Sequence, residues 1–141
     1  MQARPFYLVP DEPDEHELQI QCSDMLRLLL LPTVAWTAID HAHTLDRRVG
    51  RHGVPIGILE AKKRQRRGIK PGITDYLFWH RGRGFALELK VGDGELSDDQ
   101  REFFRTLIAA EIETKVCWTK TQVFQTVQAW GLTRHMVGEV A

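Results

Sequence analysis

Apolar residues in the first third of the chain recur with the spacing of one helix face. They are Leu18, Met25, Leu26, Leu29 and Leu30. This period predicts a helix that begins near Asp14 and ends before Pro32. Acidic residues gather at its start, where a carboxylate interacts favourably with the helix dipole. Residues 34–39 form the first predicted strand.

A strand period replaces the helical one in the middle of the chain. Apolar and other residues alternate through residues 84–91. Successive strand residues point to opposite faces, so Phe85, Leu87 and Leu89 share one face, and Glu88 and Lys90 share the other. A strand is also predicted over residues 74–79, and the short Gly82-x-Gly84 connection between the two strands predicts an antiparallel hairpin.

The remaining patterns complete a set of alternating helices and strands. Helices are predicted over residues 97–110 and 121–130, a strand over 113–118, and a short helix within 55–67. This order predicts an α/β fold with a mixed, four-stranded sheet flanked by helices. The length of 141 residues suits one domain, which we place at 14–141 after a proline-containing, irregular lead-in at 1–13.

Composition narrows the class of protein. The chain has two cysteines, which form neither a disulfide framework nor a zinc-ligand spacing, so a cytoplasmic, reducing setting is expected. No apolar run reaches the length of a membrane span. The formal net charge of zero hides a basic segment: residues 44–70 contain nine lysines and arginines against Asp46 and Glu60. Such a run is a solvated surface, a localisation-like signal or a contact for nucleic-acid phosphate.

The candidate chemistry lies on the two strands of the predicted hairpin. Glu88 and Lys90 share a face of a mostly apolar strand, which is unfavourable unless the charges have a use. An upstream acid, Asp75, would add a second carboxylate, and two carboxylates can hold a hard divalent cation. Lys90 would then orient water or stabilise phosphate charge. The plainer alternatives are a turn aspartate and a solvated strand face.

Four segments together resemble the VRR-NUC branch of the PD-(D/E)xK nucleases. The resemblance spans about residues 15–132, and Thr74 stands where the family usually has proline. The segments are Glu17-Leu18-Gln19-Ile20-Gln21, Gly68-Ile69-Lys70-Pro71-Gly72-Ile73-Thr74-Asp75, Glu88-Leu89-Lys90, and Gly94-x-Leu96-Ser97-x-x-Gln100.

The resemblance implies a restriction-endonuclease-like core and a set of site residues. Asp75, Glu88, the Leu89 carbonyl and Glu17 would hold Mg²⁺ or Mn²⁺, with Lys90, Gln100 and Glu17 serving catalysis. Glu15 competes with Glu17 for the position beside the metal. Because the two residues lie about 200° apart on a helix, only one of them can face the site. Gln100 also fits a capping box with Ser97. The residues expected to contact DNA are Lys62, Lys63, Arg64, Arg66, Arg67 and Lys70.

The expected function is metal-dependent cleavage of DNA, with selectivity for Holliday junctions or other branched DNA. Relatives of this type imply a homodimer, and the apolar residues of the later elements offer a surface for one. These are Trp118, Val123, Phe124, Val127 and Trp130. A non-catalytic nucleic-acid-binding module that retains the fold is the alternative. A zinc pair at His41 and His43 is a weaker hypothesis than loop or phosphate-contacting histidines.

Overall fold

A computed structural model describes residues 13–40, 53 and 56–135. In chain order the elements are α1 (Glu15–Leu29), β1 (Ala35–Ala38), α2 (Ile56–Arg66), β2 (Tyr76–His80), β3 (Arg83–Leu89), α3 (Asp98–Ala109), β4 (Glu113–Cys117) and α4 (Lys120–Ala129). Apart from Pro13, the predicted lead-in lies outside the described residues, as do His41 and His43.

The strands form one mixed sheet in the order β1-β2-β3-β4. β1 pairs with β2 and β2 with β3 in antiparallel register, whereas β3 and β4 are parallel. The parallel pair needs a crossover, which α3 provides. The predicted α/β class, the four-stranded mixed sheet, its flanking helices and the β2–β3 hairpin are therefore confirmed.

Side-chain caps set where the helices begin. Asp14 accepts a hydrogen bond from the backbone N–H of Glu17 at 2.7 Å, and Glu15 and Glu17 occupy the first turn of α1. Ser97 caps α3 and accepts from the N–H of Gln100 at 3.2 Å. These bonds satisfy N–H groups that a helix cannot pair internally.

The main core lies between one face of the sheet and helices α1 and α4. Leu18, Cys22 and Leu26 of α1, with Val123 and Val127 of α4, are buried in the same cluster as the inward residues of the sheet. Those sheet residues are Tyr76, Phe78, Phe85, Leu87, Leu89 and Cys117. The register pairs Tyr76 with Leu87 and Phe78 with Phe85, as the alternation predicts.

The surface predicted for a dimer interface is largely core. Val123 and Val127 are fully buried, and Trp130 packs against Phe85 with ring centroids 4.9 Å apart. Trp118 is the member of the set that is exposed, at 39%. Counting apolar residues on α4 could not distinguish an interface from a core, because the bulk that fills the monomer core looks the same in sequence.

Helix α2 stands apart from this core. None of its residues is buried, and Ile58 and Leu59 are each about 40% exposed. Lys63 pairs with Glu60 at 3.4 Å on its surface. No helix among the described residues has the length and apolar character needed to cross a bilayer.

Candidate functional site

The hairpin brings Asp75 and Glu88 together at one end of the sheet. Asp75 directly precedes β2, and Tyr76 pairs with Leu87, so Asp75 lies opposite Glu88. The backbone N–H of Asp75 donates to Glu88 Oε2 at 3.2 Å, and that of Leu89 donates to Asp75 Oδ2 at 2.7 Å. The exposed fractions of Asp75 and Glu88 are 5% and 2%. Glu88 therefore does not lie on a solvated strand face.

A third carboxylate comes from the first turn of α1, and it belongs to Glu15. One carboxylate oxygen each from Glu15, Asp75 and Glu88 lie within 4.8 Å of one another. Glu17, which the resemblance favours, is exposed, and its Oε1 accepts from Gln21 Nε2 at 3.4 Å. The structure thus selects Glu15 over Glu17 as the helix residue beside the two buried acids.

The rotation of α1 explains this correction. Its buried residues are Leu18, Cys22, Ser23 and Leu26. At about 100° per residue, Glu15 lies on the same face of the helix as this stripe. Glu17 lies about 200° from Glu15 and faces away from the stripe. Leu18, Met25 and Leu29 lie to one side of this stripe and do not separate Glu15 from Glu17 sharply, whereas Cys22 lies nearer its centre. Counting Cys22 as a buried residue would have favoured Glu15.

Lys90 and Gln100 both approach the same oxygen of Glu88. Lys90 Nζ lies 3.6 Å from Glu88 Oε1, with its side chain 13% exposed. Gln100 Nε2 donates to Glu88 Oε1 at 2.8 Å, while Gln100 Oε1 accepts from the Ser97 N–H at 2.9 Å. The capping box and the contact with the site are therefore both present, because the amide uses its oxygen for one and its nitrogen for the other.

Comparison of the chain with protein-family models, with curated proteins and with solved structures finds no match.

Burial and crowding of like charge act on Glu88. Removal from water, together with the neighbouring Asp75 carboxylate, raises the pKa of the Glu88 carboxyl from 4.5 to about 9. The Lys90 ammonium opposes this shift, and Glu15 adds to it. A nearby cation would reverse the balance, because it favours the ionised carboxylate.

The donor set fits a hard divalent cation. Glu15, Asp75 and Glu88 offer carboxylate oxygens, which Mg²⁺ and Mn²⁺ prefer, whereas zinc favours histidine and cysteine. The backbone N–H of Leu89 donates a hydrogen bond to Asp75. That the Leu89 carbonyl is a metal ligand stays a prediction. Glu15, Asp75 and Glu88 are the residues that would hold such an ion.

The segment before Asp75 is held tightly against α3. Gly72 has φ of +74°, and a Cβ at this position would lie 2.4–2.6 Å from backbone atoms of Asp99 and Gln100. Only glycine permits this approach and this backbone conformation together. Thr74, in the family's proline position, is 1% exposed, and its hydroxyl donates to the Tyr76 carbonyl at 3.2 Å. A hydrogen bond thus restrains the turn there.

The predicted DNA contacts lie on and after α2, in the segment that leads to Asp75. The side chains of Lys62, Lys63, Arg66, Arg67 and Lys70 are exposed, and Arg64 is half-buried. Lys63 forms the ion pair with Glu60 described above. Contact between these cations and phosphate stays a prediction.

Proposed function

We propose that this protein is a divalent-metal-dependent endonuclease that hydrolyses phosphodiester bonds in DNA, with a PD-(D/E)xK core of the VRR-NUC type. One observation carries the proposal: Glu15, Asp75 and Glu88 converge within 4.8 Å beside Lys90. A structural ion pair needs one acid for one base. Three carboxylates stand beside one ammonium, and burial with this crowding raises the pKa of Glu88, so that without an ion a proton relieves the repulsion; a divalent cation would take the place of that proton.

The residues around this group divide the chemistry of hydrolysis between them. A bound Mg²⁺ or Mn²⁺ would polarise the phosphate and make water a stronger nucleophile. Lys90, whose Nζ lies 3.6 Å from Glu88 Oε1, would orient that water or stabilise charge that develops on the phosphate. Gln100 holds the Glu88 carboxylate in its orientation. In the proposed step the water oxygen bonds to phosphorus, the P–O ester bond breaks, and the one proton that the water loses to solvent balances the one that the departing oxygen takes up.

The choice of substrate rests on the charge of the neighbouring segment. The exposed cations of α2 and of the residues that follow it precede Asp75 along the chain, and they suit a polyanion better than a small neutral substrate. We propose DNA, branched DNA such as a Holliday junction in particular, and a homodimer that presents two sites to two strands. A two-fold axis in the enzyme would match the pseudo-symmetry of a four-way junction.

A cleavage assay with defined variants tests the function. Purified protein is incubated with Mg²⁺ or Mn²⁺ and with linear, flap, splayed and four-way DNAs. We expect metal-dependent cleavage that Asp75→Asn and Glu88→Gln abolish while the circular dichroism spectrum stays native. Lys90→Ala should lower turnover about 100-fold, as for loss of a group that stabilises transition-state charge, while DNA affinity changes little.

The two glutamates of α1 supply a matched pair for the same assay. Glu15→Gln removes a carboxylate from the cluster, whereas Glu17→Gln changes an exposed acid two residues away. We expect a large loss of activity for the first and a small one for the second. If the purified protein binds branched DNA without cutting it in either metal, the non-catalytic binding module replaces the nuclease as the function.

A further inference from the structure

The hydroxyl of Tyr76 joins β2 to α1 directly beside the candidate site. Tyr76 follows Asp75 in the chain and is fully buried. Its hydroxyl donates to the Gln19 carbonyl at 2.8 Å and lies 2.6 Å from Ser23 Oγ. A phenol has one proton to donate. Because Tyr76 donates it to the Gln19 carbonyl, the Ser23 hydroxyl is the donor in the bond between Ser23 and Tyr76. One side chain of the sheet is thus hydrogen-bonded to two successive turns of the helix.

These two bonds restrict movements of α1 along and about its axis that the apolar contacts of the helix would permit. Burial of Leu18, Cys22 and Leu26 holds α1 against the sheet, but hydrophobic contact has no preferred direction. Hydrogen bonds weaken steeply when their geometry is lost. The apolar stripe already opposes a shift of α1 by a full residue, which would turn the helix by about 100°, but it tolerates smaller slides and rotations. The bonds to Gln19 and Ser23 oppose those smaller movements.

The helix carries Glu15 one turn before Gln19, on the same side. Glu15 is the one exposed member of the carboxylate cluster, so its own surroundings do little to hold it. Asp75 and Glu88 are held by backbone N–H groups of the hairpin. The position of Glu15 relative to them depends on how α1 is set against β2.

We propose that Tyr76 is a positioning residue, whose hydroxyl sets α1 so that the Glu15 carboxylate completes a cation site with Asp75 and Glu88. This inference rests on the proposed metal site. Tyr76 itself contacts no ion and acts through the helix.

The test is Mn²⁺ binding by the folded protein, measured by isothermal titration calorimetry. Tyr76→Phe keeps the ring, which packs against Phe78 with centroids 5.9 Å apart, and removes the hydroxyl alone. The expected loss of Mn²⁺ affinity is about 10-fold, on the scale seen when a group that orients a metal ligand is removed. In a Glu15→Gln background the same substitution should cause no further loss of Mn²⁺ affinity, because the carboxylate that Tyr76 positions is already absent.

A second buried hydroxyl supplies the control. Thr126 Oγ1 donates to the Gln122 carbonyl at 2.7 Å and lies 3.5 Å from Cys117 Sγ, so it also bridges a helix and a strand. Thr126→Val should lower the melting temperature without changing Mn²⁺ affinity. Ser23→Ala, which removes one of the two Tyr76 bonds, should weaken Mn²⁺ binding in the same direction and serves if Tyr76→Phe does not fold.

The outcomes separate the inference from the function on which it rests. Unchanged Mn²⁺ affinity in Tyr76→Phe, or an equal loss with and without Glu15, would overturn the positioning role while leaving the metal site in place. Absence of Mn²⁺ binding by the unmodified protein would overturn both. If Mn²⁺ binding follows the expected pattern but the protein cleaves no DNA, the positioning role is supported and the proposed nuclease function is contradicted.

Discussion

At the scale of single residues, both carboxylate oxygens of Glu88 have polar partners. Its Oε2 accepts from the Asp75 N–H, and its Oε1 faces both Gln100 and Lys90. Truncating one partner of so buried a group leaves the remaining polar atoms unsatisfied. The arrangement orients a carboxylate within narrow limits, which is what a metal ligand requires and a solvated glutamate does not.

The raised pKa of Glu88 predicts how the ion-free protein responds to pH. Burial, with the Asp75 carboxylate nearby, raises the pKa from 4.5 to about 9, so the folded chain binds a proton between these values that the unfolded chain has released. Stability therefore falls as pH rises through this window. Denaturant unfolding in EDTA at about pH 5, 7 and 9 measures the slope.

Two variants decide whether Glu88 is the source of that slope. Glu88→Gln removes the titrating group and should flatten the fall in stability. Glu60→Gln, a change on the exposed surface of α2, should leave it unchanged. An identical pH dependence in the unmodified protein and Glu88→Gln would contradict the assignment. Saturating Mn²⁺ should raise stability more at the higher pH, because the ion needs the deprotonated carboxylate.

At the scale of elements, the site depends on how closely the hairpin and α3 approach each other. Gly72 lies against the backbone of Asp99 and Gln100, and Gln100 reaches from the first turn of α3 to Glu88. The capping box with Ser97 sets where α3 begins and which way the Gln100 side chain points. Contact of backbone with backbone leaves little room to adjust.

Gly72→Ala should therefore damage both the fold and the site. The added methyl group meets backbone atoms at 2.4–2.6 Å, and the positive φ adds strain. We expect a loss of unfolding free energy on the order of 1–3 kcal/mol, the range for stored backbone strain, together with reduced Mn²⁺ affinity. Gly68→Ala is the control, because Gly68 has φ of +86° but no atom of the described residues lies within 4 Å of the position of a Cβ. Equal losses in the two variants would show that the contact with α3 is unimportant.

At the scale of the whole molecule, charge is distributed unevenly although the total is zero. The exposed cations of α2 and of residues 67–70 lead directly into the segment that ends at Asp75. Helix α2 contributes no buried residue, so the main core does not explain its sequence. The proposed role in holding a phosphate backbone would explain it, and such contacts carry little information about base sequence.

Neutralising part of this segment should weaken DNA binding without regard to sequence. For Lys62, Arg66 and Arg67, all exposed, changed together to glutamine, the slope of log K against log salt should become shallower by about 0.9 for each phosphate that is no longer neutralised. The comparison variant changes Arg105, Lys115 and Lys120, exposed cations on other elements. The slope is measured by fluorescence anisotropy over a salt series. The same slope in both triple variants and in the unmodified protein would make the basic run a solvated surface.

The sequence by itself determined the elements and the hairpin, because periodicity, caps and short turns act over a few residues. It also placed Glu88 and Lys90 on one face and Asp75 at the start of the facing strand. Only the tertiary structure decided which acid of α1 joins them, that Val123 and Val127 are core, and that Gln100 serves cap and site together. The rotation of a helix about its axis is set by the surface it packs against, and that surface comes from residues far away in the chain.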